Sequence, residues 1–448
     1  MALFDTGDLA QQAPQLLQAV FLWLRHFFAS TWWFWSFFFL FSSARSAFLY
    51  WRQRIFESSM TWSFLEFKIP REILKSPRSM DQLLQGLAAL RNVPSNFGEK
   101  YLDGEVTRWF TFEMVSFGGE IHFYARVYKK LRHMVEAVFF SYYPDVEIIE
   151  SPDYISKLPH SVADAEAQNL ELWGSEVVLK KEAGFPIRTY LAFESPDEEH
   201  QFDPMSAFME NLGKLKKEEF LGVQFNIAPE DQDWGKHFEH IVEDLRTPKE
   251  AKNQSHAKTG DPTADAIKKA MLQKSPGETD VLRTVEENLS KPAFKCFIRV
   301  LYLSPRHLFF DTMPRRAVLG SLNQYGSAAL NSFLINKDMT SKTDAWSWPY
   351  VFRGFRNRAR QQRILHTYLE REFEIEEWMG KFLTSHFFNW NCHSRELVLS
   401  TESLASIYHP PTSLVLTAPH TQRIESKKMG APAGLPIYAD ESVLDRFK

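Results

Sequence analysis

Between Arg25 and Arg45 the chain carries no Asp, Glu, Lys or Arg, and the stretch FFASTWWFWSFFFLF, residues 27–41, is aromatic at ten of its fifteen positions. A segment apolar on every face suits hydrocarbon or a buried core better than a half-solvated surface. Roughly 20 helical residues cross a bilayer, so the pattern predicts a transmembrane helix over about residues 20–44, inside an N-terminal segment 1–58. Phe27, Trp32, Trp33, Trp35 and Phe39 are its expected anchor residues. Tryptophans inside the span leave room for a helix lying in the interface or a shallow re-entrant segment, and a soluble core helix is the remaining alternative. Asp5 and Asp8 precede the run and Arg45, Arg52 and Arg54 follow it. Positive charge stays inside, which predicts a single-pass protein of the cytoplasmic membrane with its bulk in the cytoplasm.

Beyond residue 58 the period changes. WSFLEFKIP (62–70) reads as a strand, MDQLLQGLAALR as a helix with leucines on one face, and residues 105–128 as a hairpin turning at Gly118-Gly119. KKLRHMVEAVFFSYYP then predicts a helix and DVEIIE a strand. The order is βαββαβ, the ferredoxin-like plan. It repeats. SEVVLKK and IRTYLAF (175–181, 187–193) read as strands and DPMSAFMENLGKLK as a helix. Then come the strands EEFLGVQFNIAP and KPAFKCFIRVLYLS, the helix PRRAVLGSLNQYG and the short strand NSFLIN. The expected architecture is therefore α+β: a first ferredoxin-like half at 59–160, a second at 161–336 with a polar insertion at 230–290, and an α/β C-terminal region at 337–448. That last region holds a linker, a charged helix from about Arg356 to Lys381, and a tail with a short helix capped by Ser400 or Thr401.

Composition narrows the chemistry. A net charge of −4 over 448 residues excludes a polycation, so nucleic-acid contact needs a local patch. FRGFRNRARQQR (352–363) supplies one: Arg353, Arg356, Arg358, Arg360 and Arg363 are candidate contacts to phosphate or an acidic partner, because the guanidinium fork donates two bonds to one anion. Glu370, Glu372, Glu374, Glu376 and Glu377 follow, so a locally balanced helix is the plainer reading. Lysines at 250–274 add to the nucleic-acid alternative. His237 and His240 in HFEH, and Cys392-His393 with His386, have metal-like spacing but lack a full ligand set. A phosphate loop, GxSxG and HExxH are all missing. No cofactor, no metal and no catalytic residue is expected, and the chain reads as a non-enzyme.

The blocks FLEFKIPREILKSPRSMDQLLQGL, FEMVSFGGEIHFYARVYKKLRHMVEAVFFSYYPDVEI, LWGSEVVLKKEAGFPIRTY, FDPMSAFMENLGKLKKEE and LSTESLASIYHPP…TAPHTQRIESKKMGAPAGLPI resemble, in order, an uncharacterised bacterial domain. The resemblance covers roughly residues 60–437. That domain is membrane-tethered, associated with conjugation-like type IV secretion, and found upstream of or beside FtsK/HerA-type coupling ATPases. The resemblance implies a membrane-anchored adaptor that docks a separate motor ATPase and other secretion-complex proteins; the Arg-rich segment 352–363 makes DNA a further candidate partner. The alternative is a membrane-tethered nucleic-acid-binding protein using residues 352–363.

Overall fold

A computed structural model describes residues 6–70, 75–194, 203–246, 276–310, 312–343, 350–373, 375, 377–385 and 392–411. The chain divides into two compact units. One comprises Met1–Met60, Val93–Val106 and Ile375–Ser385, and the other comprises Thr61–Asn92, Thr107–Glu374 and His386–Lys448.

The larger unit is built on one antiparallel sheet of nine strands: β1 (Trp62–Lys68), β2 (Phe110–Phe117), β3 (Glu120–Tyr128), β4 (Glu147–Glu150), β5 (Leu170–Leu179), β6 (Phe220–Pro229), β7 (Ala293–Pro305), β8 (Phe333–Thr340) and β9 (Leu397–Ser400). The order is β4-β1-β3-β2-β6-β7-β5-β8. Its first four strands lie in the order 4-1-3-2, and β8-β5-β7-β6 repeat that order. The halves do not stand apart as separate sheets. Their second strands, β2 and β6, pair from Phe110↔Ile227 to Phe117↔Phe220, so one sheet runs through both. The expected strand IRTYLAF is instead a short 3-10 turn at Tyr190–Ala192. The first strand of the second half begins earlier, at Leu170.

β7 is the hub. It pairs with β6 along ten residues on one side, and on the other with β5 and, at its start, with β9. The tail segment 397–407 is thus part of the sheet unit rather than a separate region. Ser400 caps its helix, its Oγ accepting from the Ser403 N–H at 3.3 Å. Every residue of that helix, Thr401–Ile407, is buried. It covers the same sheet face as the helices Arg78–Ala88, Arg132–Tyr142, Met205–Gly213 and Thr312–Asn323. Met80, Leu83, Phe139, Phe208, Val318 and Leu404 from these helices share one core with Phe112, Phe225 and Ile298 of the sheet. The insertion after β6 contains a 3-10 turn (Trp234–Phe238) and the helices Glu239–Arg246 and Pro276–Leu289. Its lysine-bearing stretch 247–275 lies outside the described residues, as does everything after 411.

The smaller unit centres on one helix of 54 residues, Thr6–Ser59. Here the expectation fails. Among the described residues no helix is long and apolar enough to cross a membrane. Length is ample, so apolarity is what falls short. Ser30, Thr31 and Ser36 dilute the phenylalanines, and Trp32, Trp33 and Trp35 carry indoles that favour an interface over hydrocarbon. The predicted span at 20–44 is therefore corrected, and the single-pass topology and the membrane location fall with it.

Candidate functional site: a buried polar ladder and an exposed aromatic helix

The second face of the sheet carries polar residues at mid-strand. Cross-strand register lines up Glu66, Tyr124, Glu113, Gln224, Arg299 and Glu176 in one row over six strands. Strand side chains alternate between faces, so each of these sits between neighbours that feed the core on the other side. Over this row lies the helix Arg353–Glu370, which buries Arg356, Arg360, Ile364, Leu365, Thr367 and Tyr368. Glycine makes room for it. A Cβ on Gly222 would stand 1.9 Å from the Tyr368 hydroxyl, and one on Gly174 would stand 2.4 Å from Ile364.

The last carbonyls of a helix need donors, and the ladder supplies them. Gln224 Nε2 donates to the Tyr368 carbonyl at 3.0 Å. Arg299 donates to the carbonyls of Thr367, at 3.3 Å, and Glu372. The same guanidinium bonds Glu176 at 2.9 Å, and Glu176 also accepts from Ser394 at 2.6 Å. The helix stops at Arg371, which takes a left-handed conformation with φ of 51°. Glycine is the usual residue there, since other side chains strain in that region. Arginine serves because its fork reaches two carboxylates: Glu113 through Nε and Nη2, and Asp153 at 2.7 and 2.9 Å. Burial works against the Arg371 charge, yet Glu113 and Asp153 raise its pKa well above the ordinary value. Burial likewise opposes the Asp153 carboxylate, and Arg371 brings its pKa below the usual value. The hydroxyls of Tyr154 and Tyr368 meet at 2.9 Å, both raised well above the ordinary phenol by burial first and by Glu113 second.

These charged groups bond to one another and to the helix end, while Gln224 Oε1 is buried with no partner among the described residues. Glu113 is 0% exposed and Arg371 2%, so this ion pair is withdrawn from solvent. The arrangement is a lock that fixes a helix end to the sheet. It opens toward solvent at Asp153, which is 39% exposed, and at its margin, where His122 Nδ1 lies 2.9 Å from Glu66 and that hydrogen bond lowers the Glu66 pKa.

The five candidate arginines do not share one surface. Arg356 and Arg360 are buried, and Arg360 donates to the carbonyls of Lys337 and Asp338 at 3.3 and 2.9 Å. Arg358 pairs with Glu166 at 2.7 Å and Arg363 with Glu372 at 3.2 Å, while Arg353 is exposed. Local balance by acidic neighbours is what the geometry contains. His237 and His240 also part company: His237 Nδ1 lies 3.3 Å from the Trp234 carbonyl, and His240 Nε2 lies 2.9 Å from Glu182. Cys392 is buried against the Met339 sulfur at 3.5 Å, its thiol pushed up to about 11 by burial, and His386 lies outside the described residues. Among the described residues no group of three or more His, Cys, Asp or Glu is placed to hold a metal ion. Two cavities, of about 300 Å³ beside Lys180 and Lys181 and about 210 Å³ beside Phe117 and Lys157, sit at or below the low end for small-molecule pockets.

The long helix of the smaller unit is the opposite case. Every Val, Leu, Phe and Trp from Val20 to Phe41 is at least 40% exposed. Four of its polar side chains bond within the helix. Ser30 and Thr31 donate to the Phe27 carbonyl, the Trp33 indole donates to the Ser30 carbonyl, and the Trp35 indole donates to Thr31. The surface left over is apolar. Further along, the unit covers one side of the same helix itself. The short helix Trp378–Thr384 packs there, its Met379 N–H donating to Ser46 Oγ at 3.1 Å. Gly380 allows the close approach, since a Cβ there would stand 2.5 Å from the Tyr50 ring. Of the five residues read as anchors, Phe27, Trp32, Trp33 and Trp35 are solvent-exposed, and exposed Phe39 also has its ring 6.1 Å from that of Trp378.

No protein-family model matches the chain, and no curated protein is significantly similar to it. Nothing found ties it to type IV secretion or to an FtsK/HerA-type ATPase. With the membrane helix overturned as well, the expected role of tethered adaptor does not stand. The membrane, motor and secretion-complex partners expected with it are likewise corrected.

Proposed function

We propose that the chain is a non-enzymatic assembly protein that pairs its long aromatic helix with an apolar helix of a protein partner. The observation that carries this reading is the bare apolar surface from Val20 to Phe41. A helix apolar all round calls for cover, and exposed apolar patches beyond a few hundred Å² mark interaction surfaces. The cover already on this helix supports a helical partner: the chain's own Trp378–Thr384 helix packs on it through Ser46 and Tyr50. Non-enzymatic action is supported by the state of the sheet unit, whose charged groups are engaged in holding a helix end.

Sedimentation of the full chain at micromolar concentration tests the reading. The wild type is expected to sediment as a complex. Replacing Phe34 and Phe38 by Glu is expected to reduce it to the single-chain mass with its far-ultraviolet circular dichroism unchanged. A wild-type chain that runs as a single copy both alone and beside other proteins, with no loss of mass on substitution, overturns it.

A further inference from the structure

We infer that the partner helix is a second copy of this chain, laid parallel and in register along a heptad seam; this rests on the helix-partner reading above. Val20, Phe27, Phe34, Phe41 and Phe48 recur every seven residues. Three residues after each stand Trp23, Ser30, Phe37, Ala44 and Trp51. These are the a and d positions of a coiled coil, where knobs of one helix enter holes of the other. All ten are exposed.

The lower part of the helix makes the seam specific, because there the residues are no longer uniformly aromatic. Ser43, Ser46 and Leu49 are buried, on the side that takes the Trp378–Thr384 helix. Phe41, Phe48 and Trp51 remain 62%, 44% and 56% exposed. The unit therefore covers the face away from the seam and leaves the seam open, in phase with the rings above it.

Area and charge both suit a second copy. A Phe or Trp buries about 150–250 Å², and the seam's rings are roughly half exposed, so pairing covers on the order of 800 Å² per copy, the size of a standard interface. Arg45 and Arg52 flank the seam. In a parallel, in-register pair the residues facing them across the interface are the partner helix's Leu40 and Ala47, five positions earlier. No like charges meet at those two positions, and the arginine stems lie over apolar surface. The small d residues Ser30 and Ala44 leave space beside the bulky rings.

Single cysteines test this in the full chain. Ser30→Cys and Ala44→Cys sit on the seam and Ser36→Cys sits off it. Cys296 and Cys392 are both buried, so the wild type gives the baseline. Tagged and untagged copies are mixed after unfolding, refolded and oxidised mildly. The expected result is a tagged–untagged disulfide dimer at least ten-fold more abundant for Ser30→Cys and Ala44→Cys than for Ser36→Cys. Equal crosslinking at all three positions overturns the seam. Single-copy behaviour of chains refolded alone, with complex formation only beside a different protein, overturns the second copy and leaves the helix-partner reading standing. No crosslink and a single-copy mass under every condition sinks both.

Discussion

In the sheet unit Glu113 is fully buried and Arg371 nearly so, while on the long helix Trp32 is 64% exposed and Phe41 62%. Charge lies inside one region and aromatic surface outside the other. The pairing state of each group explains the contrast. A buried ion is tolerated when its partners and remaining hydrogen bonds are in place, and Arg371 has Glu113 and Asp153 within reach of one fork. Exposed rings have no such internal compensation. Polar groups found far from water, when fully bonded, point to a structural task. Apolar groups found in water point to something missing.

The largest expected effect comes from breaking the ion pair. Arg371→Leu leaves Glu113 buried and uncompensated, which costs about 3–5 kcal/mol, read as a lowered urea midpoint. Glu113→Leu combined with Arg371→Leu is expected to lose less than the single variant. A double variant as unstable as the single one would show that packing, not charge, dominates.

A smaller loss follows from closing the gap beneath the helix. Gly222→Ala puts a methyl 1.9 Å from the Tyr368 hydroxyl, and overpacking of this kind costs about 1–3 kcal/mol. Adding Tyr368→Phe is expected to recover part of it in the same denaturation assay. An unchanged midpoint in Gly222→Ala would mean that the helix does not press on that strand.

The mildest effect is a pH dependence. His409 is buried, its Nδ1 2.8 Å from the Ala405 carbonyl and its Nε2 3.2 Å from Asp203. Burial disfavours its charge, but the Asp203 carboxylate outweighs that and raises the imidazole above its ordinary value. A raised folded pKa gives stability that is full below the unfolded value of about 6.5 and is lost as pH climbs through the folded value. The stability gap between wild type and His409→Gln is therefore expected to be widest near pH 5.5 and to narrow toward pH 8.5. A gap that widens with pH would reverse the assignment.

Strand periodicity was readable at most of these positions because alternation survives even where polar residues face a covered side. WSFLEFK and FTFEMVSF are strands by pattern alone. The ladder was readable only in hindsight: one polar residue at the middle of each apolar strand, in FTFEMVSF, GVQFN, FIRVLYL and GSEVV, was its signal. Nothing local reveals that these residues align, because register is a property of pairs. The helix end at Arg371 was hidden for a related reason. Arginine in a left-handed conformation carries no sequence mark, and only the distant Glu113 and Asp153 make it worthwhile. The aromatic run was conspicuous, but a run of rings says only that water is unfavourable around it, not which cover it meets.

The pairing of β9 with β7, and the burial of Thr401–Ile407 beneath the sheet, bear on how this chain is made. Both late elements emerge from the ribosome after the last strand of the second half, and so does the Arg353–Glu370 helix. At roughly 5–20 residues per second, several seconds separate the appearance of Thr340 from that of Ile407. For that interval the nascent sheet has one face without its helix and the start of its hub strand open along one side. Chaperones that shield raw apolar surface have their moment there, and slowing translation over residues 341–400 is a direct way to lengthen it.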